Sequence, residues 1–295
     1  MNRRSIIVGV DFSEASLNAA RWMAQQLAKD DELVLVHAVY IPEPPSFLRG
    51  LYPPTDSLRE DARRGADIRL AELAKSLRLR RIRTEVRIGR PDEVLGVIAE
   101  ESRARLVVIG THGARTGIWQ LLGGTAERVT RAARTTTLLA RHLPASAPRR
   151  LLLALDESEL VHPIIDWAVR LAPQHASESI ALHVVNPLLQ GATIGASSSE
   201  LRHAEDRIRA CTETWLQGKL AGTSLEGARV VVEFGDAGLE ILAAVHRFQA
   251  DLLAVGTHGA RPRARGFMGS VVEFVLRNGS GPVLVVAPDP PSRAD

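Results

Sequence analysis

The chain has 295 residues, of which 45% are hydrophobic and 24% are charged, and its formal net charge is +3. This length suits two domains of about 100–200 residues each, and no apolar run approaches the roughly 20 residues that cross a bilayer. The single cysteine, Cys211, excludes an internal disulfide and a cysteine-based zinc site and is typical of a reducing compartment. Since the first residues also lack a signal-peptide pattern, we expect a cytoplasmic protein without a membrane partner.

The first half of the chain alternates predicted strands and helices. Residues 5–10 are an apolar run of strand length, residues 14–29 carry apolar side chains at helical spacing, and ELVLVHAV is a second strand. After a Pro-rich loop, the predicted elements are a charged helix over about 57–78, a strand RTEVRI, a helix over 91–103, a strand RLVVIG, a helix over about 124–134 and a strand TTTLLAR. This alternation predicts a parallel sheet with helices on both faces.

The second half of the chain repeats the first. The six residues GTHGAR occur at 110–115 and again at 256–261. In the same alignment Asp11 falls on Asp156, and the correspondence covers almost the whole length. Pro, Ala and Ser interrupt the pattern at 142–150. We therefore expect two copies of one domain, over residues 1–143 and 149–290.

Two features recur where strands of the predicted sheets end. Asp11 and Asp156 follow the first strand of each half, and a G-x2-G-x9-G pattern follows the fourth strand, at 110/113/123 and at 256/259/269. Open parallel sheets bind ligands at the carboxyl ends of their strands. Glycines permit positive φ and a close approach of the backbone to phosphate, and successive N–H groups followed by a helix N-terminus attract anions. The sequence therefore predicts a nucleotide site in each half.

Each of these residues also has a structural interpretation. Asp11 and Asp156 stand where helix N-caps are expected, and the glycines could simply turn the chain. The histidines inside the glycine turns, His112 and His258, have no evident nucleophile beside them, which favours a structural or ligand-contact role. The histidines of the second strands, His37 and His183, are expected in or near the core.

A family resemblance rests on VGVDFS and LALDES after the first strands, LVHAV and ALHVV at the second strands, and the glycine pattern after the fourth. On these residues each half resembles a universal stress protein domain, and the chain resembles a tandem member of that family. The resemblance implies two doubly wound α/β domains, Rossmann-like and similar to adenine nucleotide α-hydrolases, each with a five-stranded parallel sheet. It also implies that ATP binds at the glycine pattern.

The resemblance assigns nucleotide contacts residue by residue. In the second half they are Asp156, Val184, Gly256, Gly259, Gly269 and Ser270, and in the first half Asp11, Ala38, Gly110, Gly113, Gly123, Gly124 and Thr125. The first half departs from the family pattern because Gly124 replaces the hydroxyl residue, Thr125 stands one place late, and Ala38 replaces the usual valine. We therefore expect weaker binding in the first half.

The function that follows is nucleotide-dependent regulation in a stress response. The chain has no P-loop, no G-x-G-x-x-G after its first strand and no G-x-S-x-G. Nothing supplies a positioned base for an attacking water, so we expect no catalytic residues and at most slow ATP hydrolysis. No residues have metal-ligand spacing, and Mg²⁺ or Mn²⁺ would arrive with the phosphates. Two alternatives remain, an adenylyl-transfer enzyme of a related α/β fold and a dimerisation scaffold that binds no nucleotide.

The expected partners are adenine nucleotides and further copies of this domain. The closing strands, TTTLLARH and GPVLVVAP, are short and apolar, which predicts pairing with each other or with another chain. The result would be an intramolecular pseudo-dimer or a homo-oligomer. The most basic stretch, residues 77–87, lacks interleaved aromatic residues and suits a solvated surface better than nucleic acid.

Overall fold

The computed structural model describes residues 4–26, 31–43, 46–47, 55–110, 124–132, 135–171, 178–186, 198–259 and 268–288. The chain forms two compact units, Met1–Ala145 with Pro290–Asp295, and Ser146–Asp289. None of the helices in these described ranges combines the length and the apolar character that crossing a membrane requires.

The first unit contains five strands and four helices among its described residues. In chain order they are β1 (Arg4–Gly9), α1 (Glu14–Gln26), β2 (Asp31–Val39), α2 (Thr55–Leu77), β3 (Ile82–Ile88), α3 (Pro91–Glu101), β4 (Ala104–Gly110), α4 (Gly124–Ala132) and β5 (Thr136–Ala140). Each element predicted from the sequence is present, with ends that differ from the prediction by a few residues.

The second unit repeats this order in the part of the chain that the structure describes. Its elements are β6 (Arg150–Ala154), α5 (Val161–Leu171), β7 (Glu178–Val185), α6 (Ser198–Leu220), β8 (Arg229–Phe234), α7 (Ala237–Arg247), β9 (Leu252–Gly256), α8 (Ser270–Asn278) and β10 (Val283–Val286).

Each unit has a five-stranded parallel sheet. The strand order is β3-β2-β1-β4-β5 in the first unit and β8-β7-β6-β9-β10 in the second. Because parallel crossovers are right-handed, the reversal of direction at the first strand puts the first two helices on one face of the sheet and the last two on the other. The predicted fold, two doubly wound α/β units with parallel sheets, is confirmed. The first and fourth strands are neighbours at the point where the order reverses.

The core of each unit lies between the sheet and its helices. Ile7 and Val8 of β1 and Leu152 of β6 are fully buried, as continuous apolar strands predict. Trp22 lies one position off the apolar face predicted for α1, yet it is only 4% exposed. Its large ring reaches the core from the margin of the helix, and Trp167 is buried at the equivalent place in α5.

Candidate nucleotide-binding site

Asp156 lies in the loop that follows β6, at the carboxyl edge of the second sheet. Its Oδ1 accepts the N–H of Ser158 at 3.0 Å, and the hydroxyl of Ser158 accepts the N–H of Leu160 at 3.3 Å. Helix α5 begins only at Val161. The interpretation of Asp156 as a helix cap is therefore wrong, because two short turns separate it from the helix.

Asp11 has the same arrangement in the first unit. Its Oδ1 accepts the N–H of Ser13 at 3.0 Å and the hydroxyl of Ser13 at 2.5 Å. Ser13 precedes α1, and its Oγ accepts the N–H of Ser16 at 3.3 Å. The helix cap is therefore Ser13, and the exposed Asp11 stands before it with its carboxylate at the edge of the sheet.

The histidines of the second strands hold these loops in place. Nδ1 of His183 donates to the carbonyl oxygen of Leu155 at 2.7 Å, and Nδ1 of His37 donates to that of Val10 at 2.6 Å. Each acceptor is the residue directly before the aspartate. Since a carbonyl can only accept, the bond fixes the tautomer that carries its proton on Nδ1. Both rings are half-buried rather than in the core, so their role in positioning the aspartates was missed. Their repetition one residue before Ala38 and Val184 was the available signal.

The glycine turn of the second unit meets Asp156. A Cβ on Gly259 would lie 3.0 Å from Oδ2 of Asp156, which is tighter than ordinary contact. A side chain at this position would therefore crowd the carboxylate. Two predicted site residues that are about a hundred positions apart in sequence are therefore neighbours in the structure.

Close packing surrounds two other described glycines of the pattern, Gly256 and Gly110. A Cβ on Gly256 would lie 2.8 Å from Cδ1 of Leu160, and a Cβ on Gly110 would lie 2.9 Å from the backbone nitrogen of Ser16. Both glycines end a strand, Gly256 beside the residue that directly precedes α5 and Gly110 beside the backbone of the first turn of α1. None of the described glycines of the pattern has a positive φ, so the positive φ that glycine permits is not used at these positions.

Helix α8 directs the N–H groups of its first three residues to the same edge, and none of them has a hydrogen-bond partner among the described residues. Its N-cap, Gly269, makes no side-chain cap hydrogen bond, and the N–H of Gly269 donates to the carbonyl oxygen of Thr257 at 2.8 Å. The donors available to a phosphate therefore begin at Ser270, the exposed first residue of the helix. Gly269 closes the loop across its base instead of donating its own N–H.

His258 lies inside the glycine turn, between Thr257 and the loop after β6. Its Nδ1 is 3.0 Å from Oγ1 of Thr257, and its Nε2 is 4.0 Å from Oε1 of Glu159. The side chain is 27% exposed. The ring is thus held from one side by its neighbour in the turn, and Nε2 faces an exposed carboxylate near Asp156.

The other residues predicted to contact nucleotide are found partly in the strands and helices of the two units and partly outside the described residues. Val184 is next to last in β7, where it pairs with Glu233 of β8, and Ala38 is at the matching place in β2, opposite Arg87. Gly124 is the first residue of α4. Gly113, Gly123 and the side chain of Thr125 lie outside the described residues, and so does most of the first glycine turn. Within the described ranges, no three His, Cys, Asp or Glu side chains are grouped so that they could hold a metal ion.

Comparison with known proteins agrees with this architecture. The model of the universal stress protein family matches residues 2–141 and again 148–287. Universal stress protein Sll1388 of Synechocystis is 28% identical over 149 residues, which are 46% of this chain and 96% of that protein.

Two solved structures have the same fold over almost the full length. A universal stress protein from Archaeoglobus fulgidus has a TM-score of 0.66 and 18% identity, with 97% of this chain and 99% of that chain covered. A protein described as a putative universal stress protein from Pseudomonas aeruginosa has a TM-score of 0.63 and 17% identity, with 97% and 94% covered. The chain therefore belongs to the universal stress protein family, as a member that carries the domain twice.

Proposed function

We propose that this protein binds ATP at the carboxyl edge of the second unit's sheet and acts as a nucleotide-dependent regulator in a stress response. The observation that carries the proposal is the contact between Asp156 and the glycine turn, where a Cβ on Gly259 would lie 3.0 Å from the carboxylate. A carboxylate and an open backbone turn at one edge suit the two ends of a nucleotide, ribose and phosphate.

Each part of this edge has a chemical counterpart in ATP. The unused N–H groups at the start of α8 and the hydroxyl of Ser270 would donate to phosphate oxygens, helped by the positive end of the helix dipole. Oδ2 of Asp156 would accept from ribose hydroxyls, since its Oδ1 already accepts from Ser158. Mg²⁺ or Mn²⁺ would be held mainly by the phosphates, as is usual for such ions.

In our proposal this site binds ATP and does not hydrolyse it rapidly. Hydrolysis needs a group that orients the attacking water. His258, the histidine of the turn, has Thr257 at its Nδ1, and Oε1 of Glu159 lies 4.0 Å from its Nε2, about 1 Å beyond hydrogen-bond distance. We expect slow hydrolysis at most.

The domain limits that we propose for the two nucleotide-binding modules are 1–143 and 149–290.

The first experiment asks whether nucleotide is present and which carboxylate holds it. Protein purified without added nucleotide is heat-extracted, and the extract is analysed for adenine nucleotide. ATP is then titrated calorimetrically into the parent and into Asp156→Asn. The asparagine keeps an oxygen that accepts the N–H of Ser158, but an NH2 group replaces Oδ2, so the negative charge and the second acceptor are lost. Losing a hydrogen bond to a charged group costs about 1.5–3 kcal/mol, which is about tenfold or more in affinity.

The matched control is Asp166→Asn, which removes the same charge from an exposed position on α5. We expect it to bind ATP as the parent does. Equal affinities for the two variants would reject the site. Absence of ATP binding in the folded parent would reject the function and favour the dimerisation scaffold, whereas release of AMP or adenylylated product during titration would favour an adenylyl-transfer enzyme.

A further inference from the structure

Helices α3 and α7 occupy equivalent places in the two units but are held by different side chains. In the first unit, Oδ1 of Asp92 lies 3.4 Å from Nε of Arg128 on α4, and Oδ2 accepts from Arg90 at 3.2 Å. The side chain of Asp92 is only 12% exposed. Burial alone would raise the pKa of Asp92, but the hydrogen bond from Arg90, a backbone hydrogen bond and the nearby Arg128 guanidinium outweigh it and hold the pKa below its usual value. Oδ1 itself is buried and makes no hydrogen bond among the described residues, so Arg128 acts on it through its charge. The contact is therefore a partly buried ion pair.

The same positions carry an apolar contact in the second unit. Gly238 aligns with Asp92, and Phe274 of α8 aligns with Arg128. A Cβ on Gly238 would lie 2.5 Å from Cδ1 of Phe274, so the aromatic ring packs directly on the backbone of α7. An aspartate at this position has no room beside the ring.

A second pair reverses its charges between the units. Arg87 of β3 bonds Glu101, the last residue of α3, at 3.2 and 2.5 Å. The aligned residues are Glu233 of β8 and Arg247, the last residue of α7, which lie 2.6 Å apart. Strand and helix thus attract each other in both units, but the strand is positive in one and negative in the other.

These two matched pairs discriminate between the units. If α3 docked on the second unit, Asp92 would meet the ring of Phe274 and Glu101 would meet Glu233. If α7 docked on the first unit, Gly238 would offer no carboxylate to Arg128, and Arg247 would meet Arg87. Each correct docking therefore makes both contacts, whereas each wrong docking makes neither.

We infer that two sets of matched pairs keep each helix with its own unit while this duplicated chain folds. The first set is Asp92–Arg128 with Gly238–Phe274, and the second is Arg87–Glu101 with Glu233–Arg247. Tandem copies of one domain are prone to misassembly and to exchange of equivalent elements, and repulsive mismatches are the usual way to prevent it. The first set of pairs contributes most of the discrimination, because Asp92 would be pressed against the ring of Phe274, where a Cβ already has only 2.5 Å, whereas an exposed ion pair contributes little.

The test compares two sets of substitutions in the full chain. The uniform variant, Arg87→Glu, Asp92→Gly, Glu101→Arg and Arg128→Phe, gives the first unit the side chains of the second. The two matched pairs are then the same in both units, so they no longer distinguish the units. Arg87→Glu also removes the ion pair with Glu85, and Asp92→Gly removes the one with Arg90. The exchanged variant adds Glu233→Arg, Gly238→Asp, Arg247→Glu and Phe274→Arg, which restores the difference with the roles reversed. It serves as the control for the substitutions themselves.

All three proteins are refolded from denaturant at increasing concentration and analysed by size-exclusion chromatography with light scattering. We expect the uniform variant to lose native peak to larger species as concentration rises, and the exchanged variant to refold as the parent does. Equal native yields for all three proteins would overturn the inference. Equal losses in both variants would also overturn it, because they would follow from the substitutions and not from the lost discrimination.

A helix graft measures the same discrimination at equilibrium if the variants above fold poorly. Residues 91–101 of the full chain are replaced with the α7 sequence AGLEILAAVHR. We expect the graft to lower the denaturant midpoint of the chain, and Arg128→Phe with Arg87→Glu to restore part of the loss. The rest comes from the buried Val94 and Ile98, which the graft replaces with Glu and Ala. A graft as stable as the parent, or one that these two substitutions do not rescue, would contradict the inference. Neither experiment depends on nucleotide binding.

Discussion

Individual side chains at the carboxyl edge are positioned by hydrogen bonds that begin one strand away. The bond from Nδ1 of His183 to the carbonyl oxygen of Leu155 connects β7 to the loop after β6. The backbone N–H of Leu155 donates in turn to the carbonyl oxygen of Leu182 at 2.9 Å. Both polar groups of the residue before Asp156 are therefore bonded to β7, which leaves the carboxylate little freedom to leave the site.

A substitution at His183 tests this positioning role. His183→Ala removes the donor and leaves a carbonyl group unpaired, which lowers the free energy of unfolding by about 1–3 kcal/mol. His183→Asn offers an N–H near the position of Nδ1 and should recover a large part of the loss. Denaturant unfolding of the full chain measures both effects, and calorimetric titration with ATP measures the accompanying loss of affinity. Both variants lose the edge contact of the ring with Trp215, so equal destabilisation would attribute the effect to that contact instead of the hydrogen bond.

At the scale of elements, the two glycine-to-helix connections differ in one hydroxyl. Helix α8 begins with Ser270, which is exposed, and α4 begins with Gly124. A hydroxyl at this position can donate to a phosphate oxygen in addition to the backbone N–H groups. For this reason we expect the second unit to bind ATP more tightly than the first, with Val184 in place of Ala38 adding a smaller packing difference in the same direction.

Ser270→Ala tests that ranking. Alanine has a better helix propensity than serine, so the variant keeps the helix while it loses the hydroxyl. We expect the tighter of two calorimetric ATP sites to weaken by about tenfold, which corresponds to a charged hydrogen bond of about 1.5–3 kcal/mol. Ser270→Thr, which keeps a hydroxyl, is the control. In the opposite direction, Gly124→Ser should strengthen the weaker site. If Ser270→Ala leaves the tighter site unchanged, that site belongs to another part of the chain.

The order of elements follows from the sequence because strands and helices have different apolar periods. Continuous runs such as RLVVIG predict buried parallel strands, and β4 is indeed Ala104–Gly110. The reasons for particular residues do not follow in this way. Gly110 is glycine because the backbone at Ser16 crosses it, and that crossing depends on the packing of α1 over the sheet. The sequence does not locate the helix cap for a similar reason, since Asp11 and Ser13 both suit a helix start until the first turn is located.

The residues that hold α3 and α7 change together between the two halves of the chain. An alignment of the halves shows this joint change but not its cause. Aligning the halves sets Asp92 and Arg128 beside Gly238 and Phe274, a double change that suggests contact. Only the structure shows that each pair joins the third and fourth helices of its unit. Positions that change together between repeats are therefore candidates for contacts that each repeat must make separately.

At the scale of the whole molecule, the two ends of the first unit's strand order differ in chemistry. β3 stands at one end and carries Arg83, Glu85 and Arg87, which bond one another along the strand. Charged side chains on a terminal strand oppose further pairing. β5 stands at the other end of this order with the sequence TTLLA, and β10, VLVV, is the matching strand of the second unit. Within its own unit, each of these strands has a single parallel neighbour, β4 or β9.

We therefore predict that the closing strands β5 and β10 pair along their outward edges, with each other or with another copy of the chain. A short apolar strand with unpaired N–H and carbonyl groups is a template for such pairing, whereas the charged β3 is protected from it. Hydrogen exchange should find protection at consecutive amides of both strands, including those that do not face β4 or β9. Light scattering over a range of concentrations then distinguishes pairing inside one chain from pairing between chains, because only the second depends on concentration. Rapid exchange of the outward amides, together with independent tumbling of the two units in relaxation measurements, would show that the closing strands are free.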